Sequence, residues 1–480
     1  MAHLDVALLV LLTTAGGLLV ASRLLRIPYP IVLVVGGLML GFVPGVPRFE
    51  LPPDAIFFLI LPPLLFYAGF IYQTRRLKEN AASISLLAIG LVIATTVGVA
   101  TVVHALGMAW GPALVLGAVL APTDPVAATA IIARLGAPHR VTAVIEGESL
   151  VNDGSALVIY GAAVAAVVTG EFSLGRFALE FPLTIFGGVG IGLAVAWLFS
   201  WGLLRRLGPG YQNTVLILFC AYLTYLPAEM LGVSGILAAV TGGIYIGSRV
   251  PIDSAPTDRL AGYSFFNVFV FLINAFVFIL MGLQFPNIFN RIEAYPATTL
   301  FLWGTLVSLS LIALRMVWVL AFGELLFHLT TARQVRNARP AWRQSVVIGW
   351  AGMRGAVSLA AAQAIPLRLA SGAPFPARDL ILFFTFVLIL VTVVLQGLLL
   401  PLLIRSLGLS GRSGKEEIEV SHARLRGARA ALERLDELQD EEWLSDEAAT
   451  PMRDLYEHRC CCWMSRPRRW ISATNSKSSS

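Results

Sequence analysis

Residues 146–160 read EGESLVNDGSALVIY, inside a run from about 141 to 169 that is otherwise apolar enough to cross a bilayer. Glu146, Glu148 and Asp153 fall within about two helical turns of one another. Each ionisable group at a helix centre costs about 2.5–3.5 kcal/mol on insertion scales, so a span that keeps several must pair them or set them in a wet cavity. On a helix, Ser149 and Asp153 are i,i+4 on one face with Glu146 a turn earlier, while Glu148 and Asn152 form a second stripe turned by about 100°. Two polar stripes imply two jobs.

The surrounding composition is that of a polytopic membrane protein. Of 480 residues, 57% are apolar and 13% charged, against roughly 25% charged in a soluble domain, and the mean hydropathy is +0.77. The first apolar segment, LDVALLVLLTTAGGLLVAS, lacks a basic flank, is too long for a signal peptide and leads straight into another span, so it reads as the first transmembrane helix. Runs long enough to cross about 30 Å of hydrocarbon lie near 4–21, 28–47, 54–72, 83–106, 109–135, 141–169, 178–204, 211–230, 233–248, 263–285, 298–327, 344–367 and 379–405, about thirteen in all.

Loops after odd-numbered spans carry most of the basic residues: Arg23 and Arg26; Arg75, Arg76 and Lys78; Arg134 and Arg140; Arg205 and Arg206; Arg249 and Arg259; Arg333, Arg336, Arg339 and Arg343. Alternate loops carry only Arg48, Arg176, Arg291, Arg368 and Arg378. The positive-inside rule then sets the N-terminus outside and the C-terminus in the cytoplasm, in keeping with an odd number of spans. The net charge of +6 is accounted for by these scattered loop residues and gives no patch for a nucleic acid.

Two domains are expected: a transmembrane domain over 1–408 and a cytosolic tail over 409–480. The tail should hold a helix at about 415–445, where Leu425, Leu432, Leu435 and Leu438 recur at near-helical spacing, followed by a disordered polar end. Cys220 lies in an apolar span, and Cys460, Cys461 and Cys462 are consecutive, which suits reduced cytosolic thiols better than a disulfide or metal framework.

Two other spans are anomalous. In LAPTDPVAATA, 120–130, Pro122 and Pro125 each remove a backbone donor, so the helix should break around Thr123 and Asp124. In GWAGMRGAVSLA, 349–360, three glycines surround Arg354, a buried cation in need of compensation. Unwound backbone at membrane depth is tolerated where it lines a cavity, and paired interruptions in the two halves of a transporter mark an inverted repeat with its ion site at the midplane. The expected fold is therefore an all-α polytopic membrane protein, an inverted repeat of six plus six helices with two interrupted ones.

The series LPPLLFYAGF, PTDPVAATA, EGESLVNDGSALVIY, GVSGILA and GMRGAVSLA resembles the bacterial members of the monovalent cation/proton antiporters of the sodium/hydrogen-exchanger type, over about residues 4–405. The resemblance implies a homodimeric secondary transporter in the plasma or inner membrane that exchanges Na⁺, K⁺ or Li⁺ for H⁺ and serves pH homeostasis. It implies no enzymatic activity and no cofactor. Its partners would be monovalent cations, protons and the lipid bilayer. Laid onto matching positions, it makes Asp153 the carboxylate that takes cation or proton, Ser149 and Thr123 further oxygen ligands to the alkali cation, and Asp124 a contributor directly or through water; oxygen ligands suit such a hard cation. It pairs Glu148 with Arg354 as a structural ion pair. Asn152 before the aspartate resembles the electroneutral exchangers. Tyr67 departs from the pattern, since relatives often carry an acidic residue there on the ion path; a tyrosine offers a hydroxyl but no charge at neutral pH.

Other polar groups read differently. Arg315, mid-span in LIALRMVWVL, is open between a structural partner and a place in the ion path. His104 reads as an interfacial histidine, Ser234 of GVSG as a helix cap, Gly37, Gly41 and FGGVGIG as packing contacts, and FFNVFVFLINAFVF as bulky filler at a lipid or subunit face. Two further function classes remain open: a cation channel, and an intramembrane aspartyl protease whose dyad would be Asp124 and Asp153.

Overall fold

A computed structural model describes residues 2–25, 27–43, 58–72, 84–170, 174–204, 212–253, 256–292, 295–331, 342–409, 414–441, 445 and 449–457. The basic residues Arg26, Arg48, Arg75, Arg76, Lys78, Arg205, Arg206, Arg333, Arg336 and Arg339, the Cys460–Cys462 run and the polar C-terminal end lie outside them. The chain divides into two compact units, Met1–Leu135 with His139–Leu409, and Gly136–Pro138 with Ser410–Ser480.

Among the described residues the first unit is all helical, as long apolar runs demand in a medium where every backbone polar group must be satisfied within its own segment. In chain order its helices are α1 (Ala2–Leu25), α2 (Tyr29–Gly41), α3 (Leu61–Ile71), α4 (Leu91–Ala105), α5 (Trp110–Val119), α6 (Pro125–Leu135), α7 (His139–Thr169), α8 (Leu174–Phe199), α9 (Gln212–Met230), α10 (Gly235–Asp253), α11 (Pro256–Asn290), α12 (Ala297–Thr331), α13 (Trp342–Trp350), α14 (Ala356–Gln363), α15 (Arg378–Val391) and α16 (Gly397–Ser406). Among the described residues, seven helical stretches are long and apolar enough to cross a membrane: Leu86–Ala105, Val141–Thr169, Ala178–Gly202, Gln212–Met230, Arg259–Asn290, Ala297–Phe322 and Arg378–Ser406. The expected spans 109–135 and 344–367 are not continuous helices, because the chain unwinds at 120–124 and at 351–355.

Two sets of helices form the interior. In one, α2 lies along α11 and α3 along α10, with α8 and α9 against α10; its core holds Leu33, Leu61, Phe66, Phe266 and Phe278. In the other, α4 packs on α5 and α12, and α7 on α5, around Leu116, Leu120, Ile365 and Phe384. With no hydrophobic drive between helices in lipid, close approach must come from small residues. A Cβ on Gly282 of α11 would lie 2.4 Å from the backbone of both Leu38 and Val34, and one on Gly37 of α2 would lie 2.5 Å from the Ile279 carbonyl, so this pair needs both glycines. The packing role expected of Gly37 is thus specific to α11.

Two helices open with a π turn, where a widened turn frees a carbonyl or hydroxyl for other partners. Leu86–Gly90 precedes α4, and Ala88 O accepts the Ser155 hydroxyl. Thr392–Gln396 joins α15 to α16, and Thr392 Oγ1 accepts the Arg354 backbone N–H at 3.1 Å. The first thus ties to α7, and the second reaches the unwound segment at 351–355 from outside it. Ser234 caps α10 by accepting the Leu237 N–H at 3.2 Å, and Glu229 accepts that of Gly235 at 3.1 Å. His104 is bonded to Met108 O at 2.8 Å and stacks on Trp110.

The second unit contains α17 (Gly414–Asp440), in which Ala428 and Leu435 are buried and Arg434 pairs with Glu437 at 2.6 Å. Arg453 returns to Asp436 and Gln439.

Gly282→Leu should therefore separate α2 from α11 and cost about 1–3 kcal/mol or more in overpacking. Gly190→Ala, where nothing lies within 4 Å, should be tolerated. Thermal unfolding of the purified variants in detergent checks this; equal melting temperatures would show that the helices are not in glycine-limited contact.

Candidate functional site

The two breaks meet. Asp124, at the end of the first, donates its backbone N–H to Met353 O in the second at 2.8 Å. Arg354 in the second reaches back with Nε to Leu120 O at 2.6 Å and with Nη1 to Gly352 O at 2.9 Å. Leu120 is the C-cap of α5, so the guanidinium answers a carbonyl at the negative end of that helix's dipole as well as one within the second break. The Asp124 carboxylate does the reverse for the half-helices that follow: Oδ1 accepts the Val126 N–H of α6 at 2.9 Å, and the Ala356 N–H of α14 also bonds this carboxylate. Gly355 has to be glycine for this to fit, since a Cβ there would lie 1.9 Å from Asp124 Oδ2.

Beside this crossing, α7 carries the two stripes expected of it. The first holds Ser149 and Asp153, respectively 3% and 6% exposed, on the wall of a cavity of about 170 Å³. Thr123, Asp124, Tyr67, Glu146, Asn274 and Ser358 share that wall. Thr123 Oγ1 and Ser149 Oγ are 3.1 Å apart and hydrogen-bonded. Asp153 Oδ1 is buried with no hydrogen-bond partner. A buried carboxylate oxygen without a partner is costly, and it is the kind of group that a proton or a cation would satisfy.

The second stripe differs from expectation in its partner. Glu148, 1% exposed, is held by Arg315 of α12 in a fork, Nη1 to Oε1 at 2.5 Å and Nη2 to Oε2 at 2.8 Å. The expected Glu148–Arg354 contact pair is therefore corrected to Glu148–Arg315, and Arg315 is tied up in this pair instead of standing on an ion path. The reason lies in the backbone breaks. Arg354 is spent on carbonyls inside the unwound segments, whereas Arg315 approaches from a continuous helix with its planar fork free for a carboxylate. Arg315 also donates Nε to Gly349 O at 3.1 Å and Nη2 to Ile348 O at 3.3 Å, capping α13 as Arg354 caps α5. Glu148 and Asp153 still lie within electrostatic reach of Arg354.

Asn152, expected among the ion-binding residues, is not on the cavity wall. Its Nδ2 donates to Thr123 Oγ1 at 2.7 Å, so it holds the threonine from behind. Tyr67 is on the wall, its hydroxyl donating to Asn267 Oδ1 at 2.7 Å and its ring stacked on Phe266. Asn274 and Ser358 were not singled out by the sequence. The segment read as filler is a two-faced helix: Phe265, Val268 and Leu272 are exposed, while Phe266 and Asn274 are buried and Asn274 lines the cavity. An asparagine in an aromatic run was the available signal.

The charge pairing makes a checkable statement. Removing one partner of a buried pair leaves an uncompensated charge, at about 3–5 kcal/mol. Arg315→Ala and Glu148→Ala should each lower the melting temperature strongly, and the double variant by much less than the sum. Additive losses would show that the two side chains are not coupled.

Comparison with known proteins gives the family. Residues 8–406 match the model of the family described as sodium/hydrogen exchanger, transmembrane. The uncharacterised Na⁺/H⁺ exchanger of Mycobacterium tuberculosis (strain ATCC 25618 / H37Rv) is 35% identical over 441 residues, spanning 90% of this chain and 80% of that protein. The sodium, potassium, lithium and rubidium/H⁺ antiporter of Bacillus pumilus is 34% identical over 91% of this chain and 66% of its own length. The Na⁺/H⁺ antiporter ApNhaP of Aphanothece halophytica is 34% identical over 87% and 76%. In fold, the chain is similar to the sodium proton antiporter MjNhaP1 of Methanocaldococcus jannaschii, with a TM-score of 0.66 at 20% identity over 84% of this chain and 99% of that one. The chain belongs to the sodium/hydrogen exchanger family of membrane transporters.

Proposed function

We propose that this transporter exchanges Na⁺, K⁺ or Li⁺ for H⁺ by competition of cation and proton for Asp153. The observation that carries the reading is the unpartnered Asp153 Oδ1 on a cavity wall that also presents Ser149 and Thr123. A carboxylate that no fixed cation engages in a contact pair can take either ion but not both at once, and that exclusion couples the two fluxes. Asp153, Ser149 and Thr123 ligate the alkali cation; Asp124 tunes the site through its charge while holding the half-helix ends; Asn152 fixes Thr123. One charge exchanged for one at one carboxylate makes the cycle electroneutral, and alternating access carries the site across.

In this reading the membrane domain covers residues 1–408, with about thirteen spans, an inverted repeat of six plus six, the N-terminus outside and the C-terminus in the cytoplasm, and residues 409–480 form the cytosolic tail. The two unwound segments meeting at the site support the repeat. The protein works as a homodimer in the cell membrane. The cations named for the Bacillus pumilus relative support a site open to more than Na⁺. An aspartyl dyad is not favoured, because the Asp124 carboxylate is turned to the half-helix amides.

The test is the full chain in acid-interior vesicles with a fluorescent ΔpH indicator, the membrane potential clamped and Na⁺, K⁺ or Li⁺ added in turn. A cation-dependent collapse of ΔpH is expected in the wild type and is expected to vanish in Asp153→Asn; equal behaviour of the two would contradict the assignment. Competition also fixes a pH dependence. As pH falls, protons occupy Asp153 more of the time, so the apparent KM for the cation should rise by up to about tenfold per pH unit with Vmax unchanged. A KM independent of pH, with Vmax falling instead, would mean that the two ions do not share a site.

A further inference from the structure

We infer that Ser358 and Asn274 complete the oxygen shell of the transported cation from helices other than α7; the inference rests on the exchange reading above. Ser358 is 1% exposed, yet its Oγ is, among the described residues, the one buried hydroxyl with no hydrogen-bond partner. Several other buried helical hydroxyls return to the carbonyl one turn back, while Ser149 of α7 bonds to Thr123 and Ser155 to Ala88 O. Thr96 bonds Val92 O, Thr224 bonds Cys220 O, Ser308 bonds Gly304 O and Thr385 bonds Ile381 O. That local bond is the usual fate of serine and threonine in helices. Ser358 stands in the first turn of α14, directly after the unwound segment, and forgoes it while lining the cavity with Asp153. An orphaned hydroxyl at such depth calls for a partner inside the cavity.

Lone-pair accounting on the other wall shows why one is needed. Thr123 Oγ1 already accepts the Asn152 amide and shares a hydrogen with Ser149 Oγ. Thr123 and Ser149 can therefore each spare about one lone pair for a cation. With the free oxygen of Asp153 this makes three ligands, whereas a hard alkali cation shedding its water needs several more oxygens to replace the shell. Asn274 of α11 is 2% exposed, and its amide faces the same cavity from a third helix. The Ser358 hydroxyl and the Asn274 carbonyl oxygen are neutral donors, so they add ligands without adding charge and leave the one-for-one balance at Asp153 intact. Coming from helices other than α7, they set the width of the shell and hence the preference among Li⁺, Na⁺ and K⁺.

The experiment uses the full chain with Ser358→Ala, Ser358→Thr and Asn274→Ala, each checked for monodisperse elution. Transport in vesicles gives apparent KM and Vmax for Li⁺, Na⁺ and K⁺, and the rise in Tm on adding each chloride salt, against choline chloride at equal strength, gives binding without transport. Ser358→Ala is expected to raise the KM for the preferred cation about tenfold, equivalent to about 1.4 kcal/mol, with the change mainly in KM, to diminish the cation-induced rise in Tm, and to alter the order of preference. Ser358→Thr, which keeps the hydroxyl, should restore much of it, and Asn274→Ala should act in the same direction. Should Ser358→Ala not fold, Ser358→Cys, close in volume but with a soft sulfur, carries the same expectation. If folded Ser358 variants keep wild-type KM values and a wild-type rise in Tm for all three cations, the hydroxyl serves an ordered water and the inference is overturned. Failure of the exchange reading is distinguishable: the wild type would then move no protons with any cation, while the Tm comparison would still report whether Ser358 binds one.

Discussion

Backbone that unwinds inside a membrane has no water to satisfy it, and in this protein the two unwound segments satisfy each other. Arg354 covers the Leu120 carbonyl at the end of α5 and that of Gly352 in the second break, Arg315 covers carbonyls at the end of α13, and the Asp124 carboxylate takes amide hydrogens from the starts of both α6 and α14. Each charge is matched to the sign of the helix end it meets. Glu148 then balances Arg315, leaving no net charge stranded at that pair. Gly355 lets the two strands of backbone come close enough for the Asp124 contact.

What this arrangement leaves over defines the working surface. Of the carboxylates near the crossing, Glu148 is locked in its pair and Asp124 is occupied by backbone. Asp153, which lines the cavity, alone among these three keeps a buried, unpartnered oxygen. The same bookkeeping divides the hydroxyls: Thr123 is fixed by Asn152, and Ser358 is fixed by nothing. A site whose broken helix ends are capped independently of the ion can bind and release it without rebuilding those caps.

Much of this was legible in the sequence, and the limits have physical causes. Pro122 and Pro125 announce a break because proline removes donors locally, and i,i+4 spacing sorts the stripes of α7 because helical geometry is local. Neither argument can choose between Arg315 and Arg354 as the partner of Glu148, since that depends on which arginine the backbone has already claimed. Asn274 was hidden in a run of phenylalanines whose bulk reads as filler; its inward face emerges only once α11 is set against α3 and the cavity. The π turns at Leu86–Gly90 and Thr392–Gln396 carry no proline or glycine signature strong enough to find them beforehand. Ser358 stands in a motif dominated by its glycines and arginine, and what marks it is a bond not made.

The central claim is that one carboxylate is shared by proton and cation, and it can be read without transport. Purified protein in weakly buffered detergent solution, titrated with NaCl or KCl against choline chloride, should release protons as the cation binds, approaching about one per cation where Asp153 is protonated beforehand. The release should be absent in Asp153→Asn. Cation binding without proton release, or release that survives the substitution, would contradict the account.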